Sequence, residues 1–363
     1  MIQESRTFSY KGTGWSFVRR NGMNLMGLRS AFLFTIFGFF LLEACAPKIK
    51  TNVLVPAKAH GAAQLNRLAV LPFQGKCGQE ITSELESMLV GIKVNDGPYF
   101  TVIERQAINK VISEQKFQFG GFVDENTAVN VAHLLGADGI IIGKVDDCSA
   151  EDRRYQEERS KCALTDKDGK CLKWRSQNVS CTERVARVYF TPKVIDVKSG
   201  QVVASEILSG SAGDSTCSDS GRAVAGKNDL LVKARSTAIE KFREIVAPHY
   251  VKMEIKLLTS DDTKMAPEVK KLIENGVEWS NKGRLDRACE QWGQAGALHG
   301  VGYALPYLLG VCAEVSGNFS KAEDYYRKAD MNTGSPVDEI SEALGRIKLK
   351  IDNQRKLQNQ LTR

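Results

Sequence analysis

The chain has 363 residues, 42% of them hydrophobic and 26% charged, and a formal net charge of +7. Arg6, Lys11, Arg19, Arg20 and Arg29 against Glu4 and Glu43 confine +3 of this to the N-terminus, so residues 45–363 carry only +4. A balance this mild, without a basic stripe interleaved with aromatics, argues against nucleic acid as a partner. Only one apolar run approaches membrane-spanning length.

That run, Ala31 to Leu42, is followed by Leu42-Glu43-Ala44-Cys45. A short apolar stretch ending in a small residue before cysteine looks like a bacterial lipoprotein signal. Residues 1–44 are then a signal peptide, for which Met23 or Met26 would be a more natural start. Cys45 is the expected site of lipid attachment. Glu43 stands where a small or hydroxyl residue is usual, so the alternative is an uncleaved anchor with a chance cysteine. Ala46 rather than Asp after the cysteine points, by the sorting rule of enteric lipoproteins, to the periplasmic face of the outer membrane. Residues 45–64 hold Pro47, Pro56, alanines and lysines with little periodicity. They read as a lipidated tether, which could reach roughly 65–70 Å at ~3.3–3.6 Å per residue.

Regular structure is predicted from residue 65 to 258. Arg67–Phe73 is a buried strand, and Ile81, Leu85, Leu89 and Ile92 give the next segment a helical stripe. Tyr99–Ile103 reads as a strand leading into a helix with Ile108, Val111 and Ile112 on one side. Asp124 is the expected N-cap of a helix carrying Ala128, Val131, Ala132 and Leu135, with Gly136 at its stop. Gly139–Gly143 is a central strand. Val185–Val197 and Val202–Leu208 form a hairpin about Lys198-Ser199-Gly200. A long helix runs from about Asp229, and Val251, Met253, Ile255 and Leu257 alternate as a closing strand. The order implies one α/β domain.

Residues 265–350 read as a small helical domain, and 269–336 within it carry a 34-residue period. Gly276/Gly310, Gly283/Gly317, Ala288/Ala322, Trp292/Tyr326 and Ala295/Ala329 are its matched pairs. The pattern resembles two tetratricopeptide repeats. Ile340, Leu344 and Ile347 supply a capping helix, and 351–363 is a polar tail. A two-repeat array is either a groove for a partner peptide or a structural cap on the α/β domain.

Nine cysteines are present. With Cys45 set aside, the even set Cys77, Cys148, Cys162, Cys171, Cys181, Cys217, Cys289 and Cys312 reads as up to four disulfides in an exported protein. Continuing the hairpin register opposes residues that sum to 398, such as Cys181 and Cys217. Cys162 and Cys171 flank the turn Asp166-Lys167-Asp168-Gly169. Cys77 and Cys148 share a sheet end if their strands are parallel neighbours. Cys289 and Cys312 lie on adjacent helices. The alternative is that the cysteines are buried apolar residues. No CxxC occurs and His60, His133, His249 and His299 are scattered, so no metal is expected. Leu164 would occupy the first ligand position of a calcium loop over Asp166–Gly169, which excludes an EF-hand.

Leu68-Ala-Val-Leu-Pro-Phe73, Phe100-Thr-Val-Ile-Glu-Arg-Gln106, Asp124-Glu-Asn126, Leu135-Gly-Ala-Asp138 and Gly143 together resemble the CsgG family, which includes the curli secretion channel. The pattern is also similar to a lipoprotein activator of a peptidoglycan synthase. The resemblance implies a CsgG-like α/β sandwich, here followed by a small all-α repeat domain. Channels of the family cross the outer membrane with β-hairpins at places matching residues 146–184 and 208–228. The first segment contains Glu151-Asp-Arg-Arg154, Glu157-Glu-Arg159 and Asp166-Lys-Asp168, and the second is rich in Gly, Ser and Asp. Charges fall on either face of the first segment, so a pore is the least favoured expectation. No catalytic constellation occurs, so an enzyme is not expected, and no cofactor beyond a covalent lipid on Cys45. The expectation is an outer-membrane-anchored accessory factor for export or assembly of a surface structure. It would bind an envelope protein through its repeats, with self-association possible. A peptidoglycan synthase activator is the alternative.

Overall fold

Strand propensity and alternation place the first element earlier than the sequence reading does. The computed structural model describes residues 47–94, 96–114 and 125–362. Cys45, the leader and the expected Asp124 cap lie outside the described residues. In chain order the elements are β1 (Lys48–Val55), α1 (His60–Ala63), β2 (Arg67–Val70), α2 (Gly78–Gly91), β3 (Lys93–Val94), β4 (Gly97–Pro98), β5 (Thr101–Val102) and α3 (Arg105–Glu114). They continue with α4 (Glu125–Leu134), β6 (Gly139–Thr165), β7 (Cys171–Asp196), β8 (Gln201–Ser205), β9 (Leu208–Cys217), α5 (Lys227–Val246) and β10 (His249–Lys256). Five helices close the chain: α6 (Pro267–Asn281), α7 (Leu285–Leu298), α8 (Ala304–Val315), α9 (Phe319–Met331) and α10 (Asp338–Leu361).

The main sheet runs β5-β2-β6-β7-β8, with β9 also on β7. β2 lies parallel to β5 and to β6; every pairing of β7 is antiparallel. Successive side chains of β2 point to opposite faces. Val70 joins Ile81, Leu85, Leu89, Leu230, Ala234 and Phe242 of α2 and α5 on one face. Ala69 and Leu71 join Ile108, Ala128, Val131 and Ala132 of α3 and α4 on the other. Helices on both faces of a half-parallel sheet make a three-layer sandwich, as expected for near-continuous apolar strands.

The outer edge of β7 takes β8 at residues 193–196 and β9 at 181–190. The hairpin starts with Asp196 opposite Gln201. A register shift between Val194 and Ile195 then adds one residue, which brings Cys181 opposite Cys217. The first half of the second insert is β9, packed under α5 through Leu208 and Ala212.

Helices α6 with α7 and α8 with α9 form two pairs related by the 34-residue period. A Cβ on Gly276 would lie 2.2 Å from Trp292 Nε1, and one on Gly310 2.6 Å from the Tyr326 ring, so both glycines admit an aromatic from the paired helix. Gly283 and Gly317 turn between the helices with φ of 75° and 78°. Trp292 and Tyr326 are fully buried.

Two expected segments are corrected. The tether is not free: Lys48–Val55 pairs antiparallel with His249–Lys256 along its whole length, and His60–Ala63 is helical. The polar tail is the last part of α10, which runs unbroken to Leu361. Gln360 is buried there, donating to and accepting from the Ala57 backbone at 3.3 and 2.9 Å. The described residues from Pro47 onward belong to one compact unit.

Candidate interaction surfaces

β6 and β7 run together far past the sandwich, from Ala150 opposite Ala186 to Thr165 opposite Cys171. At ~3.4 Å per residue this arm projects about 50 Å. Beyond Cys181, where β9 ends, only two strands remain, and a two-stranded ribbon has no core and is marginal in water by itself. Three disulfides staple it. Cys77–Cys148 joins the root to the start of α2, Cys181–Cys217 ties β7 to β9 midway, and Cys162–Cys171 closes the tip. The fourth, Cys289–Cys312, links α7 to α8. The structure thus brings together all four pairs of candidate cysteines.

Both faces of the arm are charged. Glu151, Arg153, Glu157, Arg159 and Lys161 share one face with Glu183 and Arg175, while Asp152, Arg154, Glu158 and Arg184 share the other. Cross-strand ion pairs follow: Arg153 to Glu183 at 2.8 Å, and Arg184 in a fork on Asp152 at 2.7 and 2.8 Å. The hydrogen bond from Arg184 holds the Asp152 carboxyl below its ordinary range. Arg222 does the same for Asp214 at the foot of β9, with Ala225 N–H donating as well. The tip differs. Leu164, Leu172 and Trp174 are 56, 61 and 64% exposed. Among the described residues, Lys161, Lys167, Lys170, Lys173 and Arg175 have no ion-pair partner within 4.0 Å.

The sole grouping of metal-type ligands among the described residues is Glu157, Cys181 and Cys217. Its two sulfurs are bonded to each other, so no thiolate remains to bind an ion. His249 is buried with Nδ1 3.3 Å from the Ala247 carbonyl, and His299 Nε2 lies 3.0 Å from Thr263 Oγ1; the two share no partner. A cavity of about 620 Å³ opens past the carboxyl end of β2, beside the first residues of β6, between Leu71, Ile142, Lys144 and Lys193. Its carboxylates are committed: Glu125 to Lys193 at 2.8 Å and Asp146 to Lys144 at 3.3 Å.

The inner face of the helical repeats is already occupied. Ile49 of β1 and Ile255 of β10 pack with Ile273 of α6 and Tyr307, Leu308 and Val311 of α8. Tyr307 donates its hydroxyl hydrogen to the Lys256 carbonyl at 2.7 Å, and burial pushes its pKa up to about 12. Behind it sits a buried ionic cluster. Glu314, with no exposed side-chain surface, accepts from Arg346 at 2.8 and 3.0 Å, from Lys350 at 2.8 Å and from the Tyr326 hydroxyl at 2.5 Å. Burial opposes the Glu314 charge, but these three donors outweigh it and keep its carboxyl below the ordinary range. The ladder therefore covers this part of the helical face, leaving a cavity of about 270 Å³ between Thr51–Leu54 and Glu314, Phe319 and Lys350. Sequence reasoning left β10 without a partner and read β1 as tether. The alternation Ile49, Thr51, Val53, Val55, matching that of Val251, Met253 and Ile255, is the signal that finds the pair.

No helix among the described residues is long and apolar enough to cross a membrane. No curated protein matches the chain. The solved structures that match parts of the chain include three from other bacteria. The PelC dodecamer from Paraburkholderia phytofirmans is 16% identical over 56% of this chain and 99% of its own, with a TM-score of 0.24. Lipoprotein GNA1162 from Neisseria meningitidis is 14% identical over 49 and 97%, with a TM-score of 0.26. The LpoB C-terminal domain from Salmonella enterica is 11% identical over 40 and 81%, with a TM-score of 0.23. Scores this low carry no argument, and the assignment rests on the sequence. The family described as curli production assembly/transport component CsgG matches residues 66–275, from β2 into α6. The chain belongs to the CsgG family.

Proposed function

We propose that this chain is a periplasmic lipoprotein, held to the outer membrane by acyl groups on Cys45, that serves as a non-enzymatic accessory factor for export or assembly of a surface structure. The observation that carries this reading is the arm. It stands where channels of the family would enter the membrane, yet both of its faces bear charges along its length. Each Arg or Lys at the midplane of a bilayer costs about 2–4 kcal/mol, so the arm belongs in water or against protein. Its disulfides staple it as a strut, and its exposed Trp174 end is suited to docking on an envelope protein. The 34-residue units are tetratricopeptide-like. In this reading they act mainly as a cap, because the chain's own β1–β10 ladder lies on their inner face. Partners then engage the arm or the outer helix faces, and self-association remains compatible with either.

The experiment is crosslinking in cells followed by purification, comparing the wild type with Trp174→Ala. Recovery of export or envelope-assembly subunits, reduced by the substitution, is the expected result. Recovery of a peptidoglycan synthase would instead make the chain a synthase activator. A conducting ring in planar bilayers would overturn the reading altogether. Cys45→Ala should move the protein from the membrane to the soluble fraction.

A further inference from the structure

The replacement of the tether by β1 shortens the leash. Leu257 donates its N–H to the Pro47 carbonyl at 2.8 Å, so the chain is pinned from Pro47 onward. Pro47 lies two residues from Cys45, and two Cα–Cα steps span at most about 7.6 Å. Acyl chains on Cys45 would therefore put the Lys48 end of the ladder at headgroup depth. Alternation turns Ile49, Thr51 and Val53 toward the helices, and Lys48, Lys50, Asn52 and Leu54 away from them. Across the ladder, Lys256, Glu254, Lys252 and Tyr250 share that outward face. Tyr250 is 68% exposed. Glu254 lies 3.8 and 3.4 Å from Lys48 and Lys50, and Lys256 lies 3.9 Å from Glu342, all in half-exposed or exposed settings. Lys252 has no ion-pair partner among the described residues. Four lysines thus meet two carboxylates, beside an exposed tyrosine.

We propose that the outward face of the β1–β10 ladder is a lipid-contact surface that lies on anionic phospholipid headgroups. Exposed lysines near such a surface each gain attraction within a Debye length, and a tyrosine sits well at the interface. The position of the face rests on the reading of Cys45 as the lipid carrier; its charge does not. The tip of the arm is the rival cationic surface, but it stands at the end of a long ribbon and nothing in the chain fixes it near lipid.

The test uses residues 46–363, which form one unit with all four disulfides, purified without lipid. They are titrated with vesicles of phosphatidylethanolamine containing phosphatidylglycerol, and with phosphatidylcholine vesicles. Binding to the anionic vesicles that weakens with salt is expected. Lys48→Glu, Lys50→Glu, Lys252→Glu and Lys256→Glu together should weaken it at least about tenfold. The corresponding Lys→Gln set, which adds no repulsion, should fall between. Leu172→Ala with Trp174→Ala should bind as the wild type does. Equal partitioning of wild type and ladder variants, or a loss confined to the tip variant, overturns the proposal. The mass of the full chain extracted from membranes reads Cys45 separately. Acylation with a ladder indifferent to charge would sink the proposal and leave the anchor; charge-dependent binding without acylation would do the reverse.

Discussion

The arm and the helical repeats are both additions to the same sandwich, and they are held in opposite ways. The arm has almost no apolar interior beyond Val179, Cys181, Cys217 and Tyr155. Its order comes from backbone ladders and covalent staples. The repeats bury Trp292, Tyr307 and Tyr326 completely and enclose a carboxylate with two cations. Past β9 the arm has no second layer to bury side chains against, whereas α6–α9 pack on one another and on β1 and β10.

The largest effect in this contrast should come from Glu314→Ala. It strands Arg346 and Lys350 without their counter-charge, and loss of one partner of a buried pair costs about 3–5 kcal/mol. Thermal or denaturant unfolding should show the helical region weakened while the arm's disulfides stay intact. Gly310→Ala comes next. A Cβ would push into the Tyr326 ring, an overpacking cost of about 1–3 kcal/mol, and peptide hydrogen exchange should rise in α8 and α9. On the arm, replacing Cys181 and Cys217 by serine removes the staple of a 36-residue separation. That should cost about 2–4 kcal/mol of local stability on the chain-entropy account, seen as protease cleavage between residues 150 and 185 with the repeats unaffected. Equal loosening of both regions would break the comparison. At the small end, Arg153→Ala should leave the melting temperature unchanged, because its pair with Glu183 is exposed and water-screened.

Acidity offers a sharper probe of the repeats. The folded-state pKa of Glu314 is lowered, so its contribution is complete above the ordinary glutamate value and is lost as the pH falls through the folded one. The stability gap between wild type and Glu314→Gln, followed by denaturant titration, should be full near neutrality and close in acid. A gap that persists unchanged in strong acid would mean the carboxylate charge plays no part.

The sequence alone determined the elements whose pattern is local. The strand at residue 67, the helix stripe of Ile81, Leu85 and Leu89, and the 34-residue period follow from side-chain spacing, which the backbone repeats impose directly. The cysteine pairs were also within reach, since a hairpin register turns sequence distance into spatial opposition. Only tertiary structure decided where unpaired faces would go. β1 is rich in lysine and its alternation is weak, so that pattern hints at a strand without deciding its partner, which only β10, with its hydrogen bonds, and α6 and α8, with their apolar floor, supply. Residues 351–361 read as a polar tail because the groups that bury Gln360 lie some 300 residues away, at Ala57. The same long-range closure fills the inner face of the repeats and holds the chain against itself from Pro47 onward, through contacts that no spacing in the sequence contains.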